Sequence, residues 1–262
     1  MLDALSPQRR RLVLGVGGVV ALVALALIVA LVVRAVGSRT AAVPQDRPGP
    51  VLLVPGYGGR LASLDPLAAM LRADGRTVVV VTPPGDGTGD LDQQAEHLAD
   101  VAGQTLADSG AASVDVVGYS AGGVVARLWV REHGGARQAR RVLTLGSPQH
   151  GTSQAALGAA LAGGCPPACE QLVPDSALLR ALNAGDETPD GPAWVTVRSD
   201  RDEVVTPTSS AALAGALNLR IQDACPAART PHGGLPADPV VLAALDTVLG
   251  VGPPTAPTAV AC

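Results

Sequence analysis

The sequence predicts an α/β fold in which a mostly parallel sheet of about six strands is covered by helices on both faces, preceded by one transmembrane helix. Three observations predict it. Short β-branched runs, apolar on both faces, alternate with stretches of helical period, the pattern of a parallel sheet buried between helix layers. At 114–123 a strand runs through a sharp glycine-flanked turn directly into a helix. Near the N-terminus the chain is apolar without interruption from Leu12 to Val33, about 22 residues or about 33 Å of helix, which matches the hydrocarbon core of a bilayer.

In chain order, 1–11 is a basic segment ending in Arg9-Arg10-Arg11, and 12–35 is the expected signal-anchor helix. The rival reading is a cleaved signal peptide with Ala35-Val36-Gly37 as its small-x-small site. Arg34, Arg39 and Arg47 follow the span, so the positive-inside count is nearly tied. Residues 36–50 read as a Pro-punctuated tether. The domain follows over 51–250, with strands expected at Val51–Val54, Thr77–Thr82, Ser113–Val117, Arg141–Leu145, Trp194–Arg198 and Leu217–Gln222. Helices are expected at Leu61–Ala73, Leu91–Ser109, Ala121–Glu132, Ser176–Asn183 and Pro239–Leu249, the last opened by Asp238 and Pro239. The long strandless stretch 150–192 is expected to cap the pocket, and 251–262 is a Pro-rich tail.

Of the 262 residues, about 210 remain for one soluble core once the apolar segment is set aside. A net charge of −4 argues against a nucleic-acid partner. All 19 basic residues are Arg, so no Walker P-loop, pyridoxal Schiff base or Ser-Lys dyad can be built. Neither HExxH nor paired CxxC occurs, and Gly85–Asp90 lacks the spacing of a calcium loop, so neither metal nor cofactor is implied. Cys165 and Cys169 can close a short loop, and Cys225 can meet Cys262. An even count suggests disulfides and an oxidising compartment, although pairing is not readable and four free thiols remain the alternative. Disulfides would place the domain outside the cytoplasm, on a single-pass anchor or secreted after cleavage. A monomer is expected.

The chemistry sits at Gly118-Tyr119-Ser120-Ala121-Gly122, a G-x-S-x-G turn between the 113–117 strand and the 121–132 helix. Gly118 and Gly122 let the two backbones pass closely, and the turn lifts the Ser120 hydroxyl above the sheet beside a helix N-terminus. A nucleophilic serine needs a base held by an acid, in the chain order Ser, Asp or Glu, His on such a sheet. His97 and His133 read as helix-surface residues, and His150 leaves no room for an acid strand before it. His232 lies on a Gly-Pro loop before the last helix and becomes the base. The acid is expected after the Trp194–Arg198 strand: Asp202 is favoured because Val204-Val205 would bury its loop, with Asp200 and then Glu203 as alternatives. The oxyanion donors are expected to be the backbone amides of Ala121 and, in the glycine-rich loop Pro55–Gly59, of Tyr57.

Together Pro55–Gly59, Gly118–Gly122, Leu145–Thr152, Asp202–Val205 and Pro231-His232-Gly233 resemble α/β-hydrolases of the bacterial lipase and esterase type, over 51–249. The resemblance implies hydrolysis of lipid or small carboxylic esters through an acyl-enzyme, with Ser120 as nucleophile, His232 as base and Asp202 as acid. Two departures stand out: Pro55 replaces the histidine that often precedes this glycine, and Ala121 is small where many lipases carry a bulky residue. An acyltransferase or thioesterase would use the same triad. An inactive binding module is the reading from another class, and a missing Ser, Asp or His would favour it; none is missing.

Overall fold

The computed structural model describes residues 16, 18, 20–29, 43–161, 164–258 and 260–262. The chain divides into two units, 1–40 and 41–262. In the first, the described residues 16, 18 and 20–29 are helical, and the apolar side chains of Leu22, Leu25, Leu27 and Ile28 are exposed. Half of the predicted 12–35 span, the 1–11 segment and residues 36–42 lie outside the described residues. Among the described residues no helix is long and apolar enough to cross a membrane.

The second unit is built on six strands, β1 (Val51–Val54), β2 (Val78–Val80), β3 (Val114–Tyr119), β4 (Ala139–Leu145), β5 (Ala193–Arg198) and β6 (Leu217–Arg220). They form one sheet in the order β2-β1-β3-β4-β5-β6, and every pairing is parallel. Helices cover it: α1 (Asp65–Ala73), α2 (Leu91–Ser109), α3 (Ala121–Glu132), α4 (Ser153–Leu161), α5 (Pro167–Gln171), α6 (Ala177–Leu182), α7 (Ile221–Ala224) and α8 (Pro239–Leu249).

The period-2 alternation of strand side chains divides the interior into two layers. Leu52, Val54, Val116 and Val142 face α2 and α3, where Leu98, Val124, Val125 and Trp129 meet them. Val51, Leu53, Val117, Leu143 and Val195 face α1 and α8, against Leu67, Leu71, Val241 and Leu245. The helix boundaries follow local signals. Asp90 accepts from the amides of Asp92 (2.8 Å) and Gln93 (3.1 Å) to open α2, and Gly110 at φ 65° closes it. Asp238 accepts from the Val240 amide at 2.8 Å, with Pro239 in the first turn of α8.

β4 begins two residues earlier than the sequence predicts, because Arg140 is a buried strand residue rather than a surface one. Its guanidinium pairs with the buried Asp115 of β3 through Nε at 2.8 Å and Nη2 at 2.7 Å. β6 ends at Arg220 rather than at residue 222, where the chain turns into α7. Both disulfides are formed, Cys165–Cys169 and Cys225–Cys262.

Strand order reverses at β1: the chain goes outward to β2, then crosses to β3 and continues in the opposite direction. In such sheets the crevice at the carboxyl ends of the strands flanking the reversal is where a ligand has room to enter. Here those strands are β1 and β3.

Candidate active site

Ser120 caps α3 immediately after β3, with φ 54° and ψ −126°, an uncommon backbone state for a residue with a side chain. Its amide bonds the Leu145 carbonyl at 2.8 Å, which hooks the turn onto the end of β4. The turn closes only because its flanks lack side chains. A methyl on Gly118 would lie 2.6 Å from the Gly123 α-carbon, and one on Gly122 would lie 2.3 Å from the Val54 carbonyl oxygen.

His232 and Asp202 come to this serine from 112 and 82 residues downstream. His232 opens the 3₁₀ turn His232–Ala237. Its Nε2 lies 3.0 Å from Ser120 Oγ and its Nδ1 lies 2.8 Å from Asp202 Oδ2. The carboxylate at Nδ1 fixes the tautomer that carries its proton there, leaving Nε2 to accept from the serine. Asp202 is anchored through its other oxygen, Oδ1, by the amides of Val204 (2.9 Å) and Val205 (2.8 Å). The Val-Val pair thus holds the carboxylate by its backbone. All three residues are buried or nearly so, at 9% exposure for Ser120, 7% for His232 and 5% for Asp202.

The competing residues lie elsewhere. The Asp200 carboxylate faces outward to Arg220 at 3.2 Å. His97 bonds the Thr82 carbonyl, His133 bonds Asp92, and His150 lies between Glu187 and the Ser210 carbonyl. Glu203 does reach the site, but by a different atom: its Oε2 accepts from the backbone amide of His232 at 3.1 Å.

The Pro55–Gly59 loop leaves the end of β1 and passes directly over the serine, where a methyl on Gly56 would lie 2.9 Å from Ser120 Cβ. Among the described residues, the amides of Tyr57 and Ala121 bond no protein acceptor. Ala121 is the first residue of α3, where helix amides have no partner within the helix. Both are therefore free to donate to an oxygen placed over Ser120.

A cleft of about 640 Å³ opens onto Ser120, lined among others by Tyr57, Arg60, Ser63, Tyr119, Val204 and His232. Among the described residues, the lining of this cleft includes none from 150–192. The described part of that segment packs against the side of α3. There Arg127 donates to Asn183 Oδ1 (2.9 Å) and the Leu182 carbonyl (3.2 Å), and Arg131 binds the carbonyls of Leu182 (3.0 Å) and Asp186 (2.9 Å). Its first residues brace the acid loop, where Thr152 Oγ1 donates to the Val204 carbonyl at 2.5 Å.

Sequence reasoning missed Tyr119. Its ring stacks on the His232 imidazole, with centroids 5.2 Å apart and planes at 30°, and its hydroxyl donates to the His232 carbonyl at 3.2 Å. Burial, then the charges of Asp202 and Glu203, push its phenol up to about 12. A compositional signal was available: the chain has no Phe and only two Tyr, and both tyrosines line this cleft.

Comparison with known proteins agrees with the fold. The profile of the palmitoyl protein thioesterase family matches residues 50–181, from β1 into α6. That match includes Ser120 and ends before Asp202 and His232. No curated protein matches the chain. Among solved structures, lipase B of Aspergillus fumigatus superposes with a TM-score of 0.68 at 22% identity, over 79% of this chain and 54% of the lipase. The chain thus spans about half the length of that lipase. The mature form of a Bacillus licheniformis lipase superposes with a TM-score of 0.64 at 17% identity, over 78% of this chain and 93% of the other. A Listeria innocua protein gives a TM-score of 0.56 at 16% identity, over 77% and 94%.

Proposed function

The chain belongs to the palmitoyl protein thioesterase family of α/β-hydrolases, and from that premise we propose that it hydrolyses acyl esters and thioesters through Ser120. The observation that carries this reading is the continuous chain of contacts from Ser120 Oγ through both nitrogens of His232 to Asp202, at 3.0 Å and 2.8 Å. Ser120 Oγ attacks the acyl carbonyl carbon while its proton passes to His232 Nε2. The carbonyl oxygen becomes an oxyanion, and the amides of Tyr57 and Ala121 donate to it. The bond to the leaving oxygen or sulfur breaks as His232 returns the proton to that atom, leaving acyl-Ser120. Water then attacks the acyl carbon, gives its proton to Nε2 and releases the acid, and Ser120 Oγ recovers its hydrogen. Asp202 keeps the imidazole oriented and stabilises its charged form throughout.

The lipase-like neighbours support an ester as the substrate, and the family match favours a thioester as the second reading. In either case the acyl group belongs in the cleft bounded by Tyr57 and Val204. The two disulfides support an oxidising compartment. We place the domain outside the cytoplasm, carried by the 12–35 segment near a lipid surface.

The test uses the full chain under oxidising conditions, with p-nitrophenyl esters from acetyl to palmitoyl and the matching S-acyl thioesters. Ser120→Ala is expected to lower kcat by about 10⁴-fold or more on the preferred series, and the ratio of thioester to ester turnover selects between the two readings. If the folded wild type is no faster than Ser120→Ala on either series, hydrolysis is the wrong reaction. Acyl transfer to an added alcohol would then identify a transferase.

A further inference from the structure

We propose that Tyr119 and Glu203 are positioning residues that grip the backbone of His232 on both sides of its α-carbon, and so hold its imidazole between Ser120 and Asp202. The inference rests on the hydrolase reading and adds two residues to it.

His232 needs such a grip. It follows Pro231 at the start of a 3₁₀ turn that has no side-chain cap. Hydrogen bonds at the two ring nitrogens orient the imidazole only if its α-carbon stays in place, because a ring on a drifting backbone can keep one bond by lengthening the other. The structure supplies the restraint on both peptide groups. The N–H of His232 donates to Glu203 Oε2 at 3.1 Å, and its carbonyl accepts from the Tyr119 hydroxyl at 3.2 Å. The Tyr119 ring then lies along one face of the imidazole.

The pairing of these contacts in the chain is the stronger argument. Tyr119 directly precedes Ser120, and Glu203 directly follows Asp202. Each residue that meets the ring of His232 therefore has a covalent neighbour that meets its backbone. A small displacement of the turn after β3 carries the nucleophile and the Tyr119 grip together, and a displacement of the loop after β5 does the same for Asp202 and Glu203. The distances to the base are thus tied to the elements that set them. Tyr119 remains a donor across any working pH, since burial and the adjacent carboxylates keep its phenol protonated until about 12. Glu203 reaches in from an exposed position, so its carboxylate serves the backbone without being part of the buried core.

The experiment compares Glu203→Ala, Glu203→Gln and Tyr119→Phe in the full chain by two readouts: steady-state turnover, and the rate at which a fluorophosphonate labels Ser120. Glu203→Ala is expected to lower kcat and the labelling rate about tenfold, with KM unchanged within about twofold. Glu203→Gln, which still offers an acceptor to the His232 amide, should recover most of that loss. Tyr119→Phe keeps the stacked ring but loses the hydroxyl bond, and should cost about fivefold in both rates. The downfield proton of the His232–Asp202 hydrogen bond should broaden in the Ala variant. Wild-type kcat and labelling in Glu203→Ala and Tyr119→Phe would overturn the proposal, as would a Gln variant as slow as Ala. Labelling depends on Ser120 reactivity and not on the acyl substrate. A wild type that labels but hydrolyses neither ester nor thioester would therefore count against the hydrolase reading alone, leaving the grip to be judged by labelling.

Discussion

Two buried aspartates, Asp115 and Asp202, lie at opposite ends of the same sheet, and their partners give them opposite characters. Asp115, at the start of β3, is paired with guanidinium groups: Arg140 through two nitrogens, and Arg76 at 2.6 Å. Other donors of these arginines go to backbone carbonyls, Arg140 to Gln45 (2.8 Å), Leu249 (2.6 Å) and Gly250 (2.7 Å), and Arg76 to Gly49 (2.7 Å) and Leu249 (3.3 Å). Nearly every donor there is engaged, so the cluster can only hold segments in place. Asp202, beyond the end of β5, is paired with an imidazole, which touches a hydroxyl through its other nitrogen. A buried carboxylate bound only to guanidinium groups and the segments they hold is a structural tie, whereas one bound to an imidazole whose other nitrogen meets a hydroxyl can orient a base.

The largest test of this contrast is the pair of Asn substitutions. Asp202→Asn should lower kcat by about 10⁴-fold, because the amide no longer enforces the imidazole tautomer, with little change in thermal midpoint. Asp115→Asn should leave kcat per folded molecule within about twofold, yet lose about 3–5 kcal/mol of stability by denaturant unfolding, since Arg140 stays buried without its counter-charge. A large loss of kcat in a fully folded Asp115→Asn protein would mean that the two ends are not independent.

A smaller effect sharpens the comparison from the tail. The Cys225–Cys262 bond closes a separation of 37 residues, and its removal by Cys262→Ser should cost about 3–4 kcal/mol by loop entropy. The Cys165–Cys169 bond closes a separation of only 4 and should cost about 2 kcal/mol. Equal losses would show that folded-state contacts, rather than loop length, set both values.

An effect comparable to that of the shorter disulfide is a pH dependence. The Tyr119 phenol is raised from 10.0 to about 12 in the folded chain, first by burial and then by the charges of Asp202 and Glu203. Its contribution is complete below pH 10 and falls as pH rises through about 12, because the unfolded chain ionises first. Wild type should lose about 2–3 kcal/mol across that interval, relative to Tyr119→Phe, in denaturant titrations. Parallel curves for the two proteins would mean that neither burial nor the two carboxylates holds the phenol above its ordinary value in the folded chain.

How much of this was legible depended on how local each signal is. Helices α2, α3 and α8 were placed to the residue, because Asp90, Gly110, the Gly-flanked serine and Asp238-Pro239 are punctuation within a few residues of the boundary. The association of Ser120, Asp202 and His232 was legible because chain order on this sheet leaves few choices. The start of β4 was not, since Arg140 reads as a surface residue until Asp115 is known to face it from the neighbouring strand. The role of 150–192 was also hidden. Length and strandlessness say that a segment must pack somewhere, but the surface it chose was set by Arg127 and Arg131 on α3 and by Thr152 beside the acid loop. The contacts of Tyr119 and Glu203 with His232 join residues 113 and 29 positions apart, and no short pattern encodes them.

The arginine cluster has one more consequence. A single nitrogen of Arg140, Nη1, binds the carbonyl of Gln45 at 2.8 Å and that of Gly250 at 2.7 Å, so the point where the backbone comes into the body and the point where it leaves the last helix nearly touch. The fold is topologically close to a ring. A circular permutant that bridges 250 to 45 with a few residues, and is opened at the exposed turn around Gly110, should reach the same architecture. For this body, the place where the polypeptide is cut is secondary to the way its strands are ordered.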